Sequence, residues 1–201
     1  TGGYNTASGR YALGSNTTTS YLTAHGYQAL YANTTGAENT AVGKDALKSN
    51  TTGQKNTAVG YVALTSNTTA NNNTAVGNYC LHGNTTGANN TAVGQNALNA
   101  NSTGTYNTAT GYGALVANQT SDYNTAFGNF ALMFNTTGTE NTATGNNGLY
   151  YTSTGSYNTA IGSQAGQNIT TGNYNTCLGW KAQPSSATVD DEVVLGDSHV
   201  A

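Results

Sequence analysis

The apolar positions of this chain recur every 17 residues, a spacing that belongs to neither a single amphipathic helix nor a single alternating strand. The pentad Asn-Thr-Ala-x-Gly begins at Asn5 and returns at Asn39, Asn56, Asn73, Asn90, Asn107, Asn124, Asn141, Asn158 and Asn175. Degenerate copies begin at Leu22 and Glu192, so twelve starts lie 17 residues apart with no insertion or deletion. Counted from the start of the pentad, position three is Ala in ten repeats and position eight is Ala in nine. Position nine is Leu from Leu13 through Leu149 without a break, while position four wanders through Ser8, His25, Val42, Thr110, Phe127 and Ile161. A period held without slippage means one structural unit stacked on itself. Residues 1–201 therefore read as a single repeat domain, and the part-repeats at either end read as a segment cut from a longer fibre.

Seventeen residues are too few for a helical-hairpin repeat, which needs more than about 30. They suit one coil of a parallel β-solenoid, or β-roll, with two short strands and two corners. The expected fold is all-β, with twelve 17-residue coils stacked about 4.8 Å apart into a rod of roughly 55 Å. The corners have a chemical signature. Gly43, Gly60, Gly77, Gly94, Gly111, Gly128, Gly145 and Gly162 all hold position five, as do Gly9, Gly26 and the later copies. So strict a demand for Gly predicts positive φ or close backbone approach. A second Gly falls at position fifteen in seven coils, from Gly36 to Gly172.

Composition sharpens this picture. Thr (37), Asn (29) and Gly (26) make up 92 of 201 residues, and only 6% of the chain is charged, against about 25% in ordinary domains. These are poor helix formers, which removes long helices from consideration. The interior of three or four small apolar groups per coil is thin, and at roughly 25 cal/mol per Å² it offers little surplus over chain entropy. Packing several chains together is the expected remedy. Thr at position two of eleven coils, and the column from Thr18 to Thr188, predict hydroxyl ladders, and Asn39, Asn56 and Asn73 predict amide-to-amide bonding along the axis. The Asn-x-Thr triplets at position twelve of eight coils, such as Asn16-Thr17-Thr18 and Asn33-Thr34-Thr35, have the form of N-glycosylation acceptors but read more simply as turn residues.

The runs Ala41–Ala46 and Ala58–Ala63, Ala-Val-Gly-x-x-Ala, resemble the coil motif of YadA-like trimeric autotransporter heads. The longer form N-T-A-V-G-Y-x-A-L-x-x-N-T-T-G resembles the shafts of phage tail-fibre proteins more closely, because the coils of the autotransporter heads are shorter. Val193-Val194-Leu195-Gly196 resembles the segment that precedes a C-terminal self-cleaving chaperone domain in such fibres. The resemblance spans nearly the whole chain. It implies a homotrimeric β-solenoid shaft, extracellular on a virion tail fibre or a cell-surface appendage, that serves attachment to a host or surface.

Candidate chemistry is sparse. With Arg10, Lys44, Lys48, Lys55 and Lys181 as the cations and a net charge of −3, no basic surface exists for nucleic acid. No stretch approaches the roughly 20 apolar residues of a membrane span, so membrane insertion is not expected. His25, His82 and His199 fall at different coil positions and form no metal column; Asp197-Ser198-His199, adjacent in an extended chain, point to opposite faces and make no triad. The acidic stretch Asp190-Asp191-Glu192 reads as a solvated end rather than a calcium site. Neither catalysis nor a cofactor nor a metal is expected. The aromatic columns carry more. Tyr106, Tyr123, Tyr157 and Tyr174 occupy position seventeen, and Trp180 occupies position six with Tyr27, Tyr61 and Tyr112. Outward rings there could stack on a host-surface glycan or receptor, or else cover seams between chains. Cys80 and Cys177 replace core Ala at positions eight and three six coils apart, too far to bridge within a chain, so both should be buried free thiols. The leading expectation is thus a structural and adhesive fibre segment, with an ice-binding solenoid built on the Thr columns as the alternative.

Overall fold

The computed structural model describes residues 2–197. Among these residues the chain forms twelve three-residue strands, from β1 (Thr6–Ser8) to β12 (Val193–Leu195), with no helix. They make one parallel sheet in strict chain order, each residue paired with the one 17 further on, as in Thr40↔Thr57, Ala41↔Ala58 and Val42↔Val59. This is a β-solenoid, with eleven complete repeats from Asn5 to Asp191 and the strand of a twelfth.

One strand per coil replaces the two expected. The reason lies in the backbone of the other side. Positions seven and nine adopt left-handed φ in coil after coil, as at Asp45 (55°) and Leu47 (50°), and position seventeen does the same, as at Lys55 (57°). Left-handed residues placed two apart cannot belong to a pleated strand. The turns nonetheless keep their peptide groups along the axis: the Leu47 N–H donates to Ala63 O (3.0 Å), Ser49 N–H to Thr65 O (3.1 Å) and Asp45 N–H to Tyr27 O (2.8 Å). Much of the circumference is thereby hydrogen-bonded to the coils above and below, though only three residues per coil form strand.

The interior holds the expected Ala and Leu columns. Ala41, Ala46 and Leu47 are wholly buried, and their counterparts form one continuous cluster along the rod. Two columns of buried Asn share this interior, and they differ from the expected ladder. At position one the side-chain amide bridges to backbone: Asn39 Oδ1 accepts the Asn56 N–H (2.9 Å), and Asn39 Nδ2 donates to Gly53 O (2.7 Å). The unbroken amide-to-amide ladder belongs to position twelve, where Asn50 Nδ2 donates to Asn33 Oδ1 (2.8 Å), Asn67 to Asn50 (2.8 Å) and Asn84 to Asn67 (3.0 Å), while position one has such bonds in only some coils, as from Asn158 to Asn141 (3.1 Å) and Asn175 to Asn158 (3.1 Å). Those position-twelve residues are therefore not exposed turn residues. From Asn33 to Asn135 they are fully buried with Nδ2 committed, which closes these triplets to a glycan on the folded chain. The hydroxyl ladder also moves, to position thirteen, where Thr34 Oγ1 donates to Thr51 O (3.0 Å) and Thr51 Oγ1 to Thr68 O (3.0 Å).

The two glycine columns serve different needs. Position five has both predicted features: Gly94 has φ +130°, and a Cβ there would stand 2.5 Å from Gly111 O. Position fifteen has no left-handed φ; a Cβ on Gly53 would sit 2.3 Å from Ala70 O and 2.4 Å from Asn50 Oδ1. Gly at fifteen makes room for the amide ladder, and Gly53 O accepts from both Asn columns. Where Ser121 replaces it, the hydroxyl contacts the Asn118 carbonyl oxygen and accepts from Asn135 Nδ2. In the tenth coil two columns change together. Gly166 stands in the Leu column and Ile169 in the Asn column, and Ile169 Cδ1 lies 3.3 Å from where a Gly166 Cβ would be. The lost Leu volume is returned from across the core.

These packing facts separate glycines that look alike in sequence. Gly94→Val should destabilise by about 3 kcal/mol or more, because strain and a backbone clash coincide. Gly148 stands where the repeat has Ala, without left-handed φ, and a Cβ there meets nothing nearer than 3.5 Å. Gly148→Ala should therefore stabilise, by about 0.4–1 kcal/mol. Denaturant titration of the two variants beside the parent chain checks both signs. Asn84→Ala should cost about 1–3 kcal/mol for each polar group it orphans, Asn67 Oδ1 and Asn101 Nδ2 being the nearest; the same titration measures it.

Candidate functional site

Alternation along each strand turns position three inward and positions two and four outward. Position four thus forms a strip down the rod, with Val42, Val76, Val93, Phe127, Ile161, Leu178 and Leu195 all exposed. Phe127 and Ile161, the bulkiest near its middle, are 45% and 48% exposed. Beside it runs the position-two Thr column, and His25 is the one titratable side chain at either position among the described residues. This is an in-register and uncharged face with no partner in the single chain.

Aromatic rings border that face on both sides. Position seventeen precedes the strand, and its rings stack face to face: Tyr106 on Tyr123 (5.1 Å between centroids, 4° between planes), Tyr157 on Tyr174 (4.8 Å, 4°) and Tyr4 on Tyr21 (5.2 Å, 8°). Trp180 lies past the other end of the strand, with Lys181 Nζ 4.5 Å above its ring centre. The four Tyr thus form one edge of the face while Trp180 belongs to the other. All five are well exposed. The stacking has a geometric cause: the spacing between coils is close to the spacing of offset-stacked rings, so identical rotamers one coil apart meet face to face. Glu140 stands between the two pairs in the same column, and its negative charge is the main cause that raises the Tyr157 phenol pKa, with Tyr174 next.

A second aromatic group is drawn from several columns at once. Tyr112, Phe130, Phe134, Tyr150 and Tyr151 come from positions six, seven, ten and eleven of three successive coils. They meet mostly edge to face, with Tyr112–Phe130 at 5.0 Å, Phe134–Tyr150 at 5.2 Å and Tyr150–Tyr151 at 4.7 Å. Position eleven supplies both Phe134 and Tyr151, which stack one coil apart (6.0 Å, 2°), and the other three rings come from three different positions, so counting by column finds only that pair. The local rise in aromatic content over residues 112–151 was the available signal.

The polar candidates stay scattered. No group of three His, Cys, Asp or Glu residues is placed to hold a metal among the described residues. His25 lies on the sheet face, and His82 packs beside Tyr79 (5.6 Å). The acidic end is used internally: Glu192 accepts from the Ser185 hydroxyl (2.7 Å) and N–H, which lower its pKa, and Asp190 accepts from the Asn173 N–H (2.7 Å). Ser198 and His199 lie outside the described residues. The corner residues Gly43, Gly60, Gly77, Gly94, Gly111, Gly128, Gly145 and Gly162 all carry φ between 130° and 141°. No helix among the described residues is long and apolar enough to cross a membrane. No family model, curated protein or solved structure matches the chain.

Both cysteines are free and fully buried in the Ala columns. Burial pushes the Cys80 thiol up to about 12 and the Cys177 thiol up to about 11. A thiol whose pKa rises on folding adds stability below its unfolded value, near 9, and that stability is lost as pH climbs through the folded value. Two outcomes follow. A thiol reagent at neutral pH should label neither residue until the chain unfolds. Cys80→Ala, which restores the residue of the repeat, should flatten the loss of melting temperature between pH 9 and 12.

Proposed function

We propose that the chain is a structural and adhesive fibre segment: a β-solenoid shaft that packs side by side with two further copies and works outside the cell, without catalysis. The observation that carries this reading is the uncharged, largely apolar strip at position four, which runs from Val42 to Leu195 broken only by Thr110 and Thr144 and is open to solvent in one chain. Exposed apolar surface of that extent on a rod calls for a partner. A second copy offers the same in-register strip with no charge to repel it. The Ala-rich core points the same way, since most coils bury only one large aliphatic side chain, Leu47 or its equivalent. The resemblance of Asn-Thr-Ala-Val-Gly coils to tail-fibre shafts and YadA-like trimeric heads supports the homotrimer in particular. In this reading the outer aromatic edges, Tyr106, Tyr123, Tyr157, Tyr174 and Trp180, are the surfaces offered to a host glycan or receptor.

One observation favours a second reading. Thr at position two repeats in register from Thr6 to Thr176 on one sheet face, which is a regular array of hydroxyls and methyls suited to ordering water against ice. The ice-binding solenoid would act as a single chain with that face free.

Sedimentation separates the two. The fibre reading expects the mass of three chains at micromolar concentration. Val76→Glu together with Val93→Glu should place charge in the seam and return single chains that keep their β circular dichroism. A parent chain that sediments as a folded monomer and depresses the freezing point below the melting point would establish the alternative instead.

A further inference from the structure

Three pairs of exposed tyrosines, Tyr4 with Tyr21, Tyr106 with Tyr123 and Tyr157 with Tyr174, stack one coil apart with their planes within 8° of parallel. The backbone holds them there. Each pair lies in the left-handed column, as at Tyr106 (57°) and Tyr123 (61°), and the N–H of the second ring's residue is tied to the coil below, Tyr123 to Thr105 O (3.1 Å) and Tyr174 to Ser156 O (3.1 Å). The paired residues are open to solvent, being 44–83% exposed. Two phenols fixed in contact behave as reactants at very high effective concentration.

We propose that these stacked pairs are sites of oxidative cross-linking, at which a peroxide-driven haem peroxidase joins successive coils of one chain through dityrosine. Each phenol O–H gives up one electron and one proton to the oxidant. The two phenoxyl radicals then couple through the ring carbons next to the oxygen-bearing carbons, forming one C–C bond. The hydrogen on each coupling carbon shifts to its oxygen as the ring recovers aromaticity. Two phenols and one hydrogen peroxide thus yield one dityrosine and two waters. In-register stacking sets corresponding ring carbons of both partners side by side, and exposure lets the rings turn edge to edge as the bond forms. The other tyrosine contacts are arranged differently. Tyr61–Tyr79 (80°), Tyr11–Tyr27 (71°) and Tyr150–Tyr151 (87°) set the edge of one ring on the face of the other. The bond would close a 17-residue loop and staple neighbouring coils without disturbing the register. The proposal is independent of the number of chains in the assembly.

The test is brief oxidation of the folded protein with haem peroxidase and hydrogen peroxide, followed by dityrosine emission and proteolytic mass mapping. Cross-linked peptides should join Tyr106 to Tyr123 and Tyr157 to Tyr174 within one chain, each two hydrogens lighter than the sum of its parts. Their yield should exceed that at the perpendicular pairs at least several-fold. Tyr174→Phe keeps the stacking shape and should abolish the second link while leaving the first, and Tyr123→Phe should do the reverse. Oxidation in denaturant should erase the in-register preference. Links found only between chains, or in equal yield at the perpendicular pairs, or no dityrosine at all, would overturn the proposal.

Discussion

Hydrogen bonding along the rod axis is the constraint from which the remaining structure follows. Each peptide group that points along the axis needs a partner in the next coil, because a buried unpaired amide is costly. The partner is available only if the next coil has the same backbone at the same height. That requirement fixes the period at 17 residues and forbids slippage, since one inserted residue would turn every inward side chain outward over the rest of the coil. It explains why left-handed φ is carried by residues as unsuited to it as Leu47 and Tyr123. The strain of one position is outweighed by bonds made on both sides of it.

The same constraint decides what the interior contains. A coil of this circumference is too narrow to be filled by large aliphatic groups alone. Asn fills the rest, and it can be buried because its amide meets both of its neighbours: at position one it joins two coils through the backbone, and at position twelve it joins them through another amide. The ladder ends where the sequence ends it. Thr152 follows Asn135 in that column, and Asn135 Oδ1 is left without a partner.

Much of this architecture was legible in the residues. The period, the inward Ala and Leu columns, the corner glycines and the buried Cys80 and Cys177 all follow from what repeats and what it replaces. The role of Asn was not. Strict recurrence shows that a position is demanding without showing what it demands, and Asn at position twelve suits an exposed turn and an interior ladder equally well on paper. The second glycine column was ambiguous for the same reason, since close approach and left-handed φ both call for Gly. The missing second strand was hidden because positions seven and nine carry mainly Leu, Val, Tyr and Gln, which seldom adopt a left-handed backbone, and only Asp45, Asn96, Gly113, Asn147 and Gly166 are at ease in it. The outward face of the sheet could be read from the variability of position four, whereas the cluster around Tyr150 could not, because only Phe134 and Tyr151 of its rings share a position and the others are brought in from three different positions.

The exact equivalence of the coils has a genetic consequence. Seventeen codons encode one rung whose upper surface matches its own lower surface, so any rung can sit on any other. Recombination that added or deleted a multiple of seventeen codons in such a gene would add or remove whole rungs in frame, at a junction of the kind the fold already makes. Length is then a heritable variable that changes in steps of about 4.8 Å, and a population of such genes can sample reach without having to solve the folding problem again.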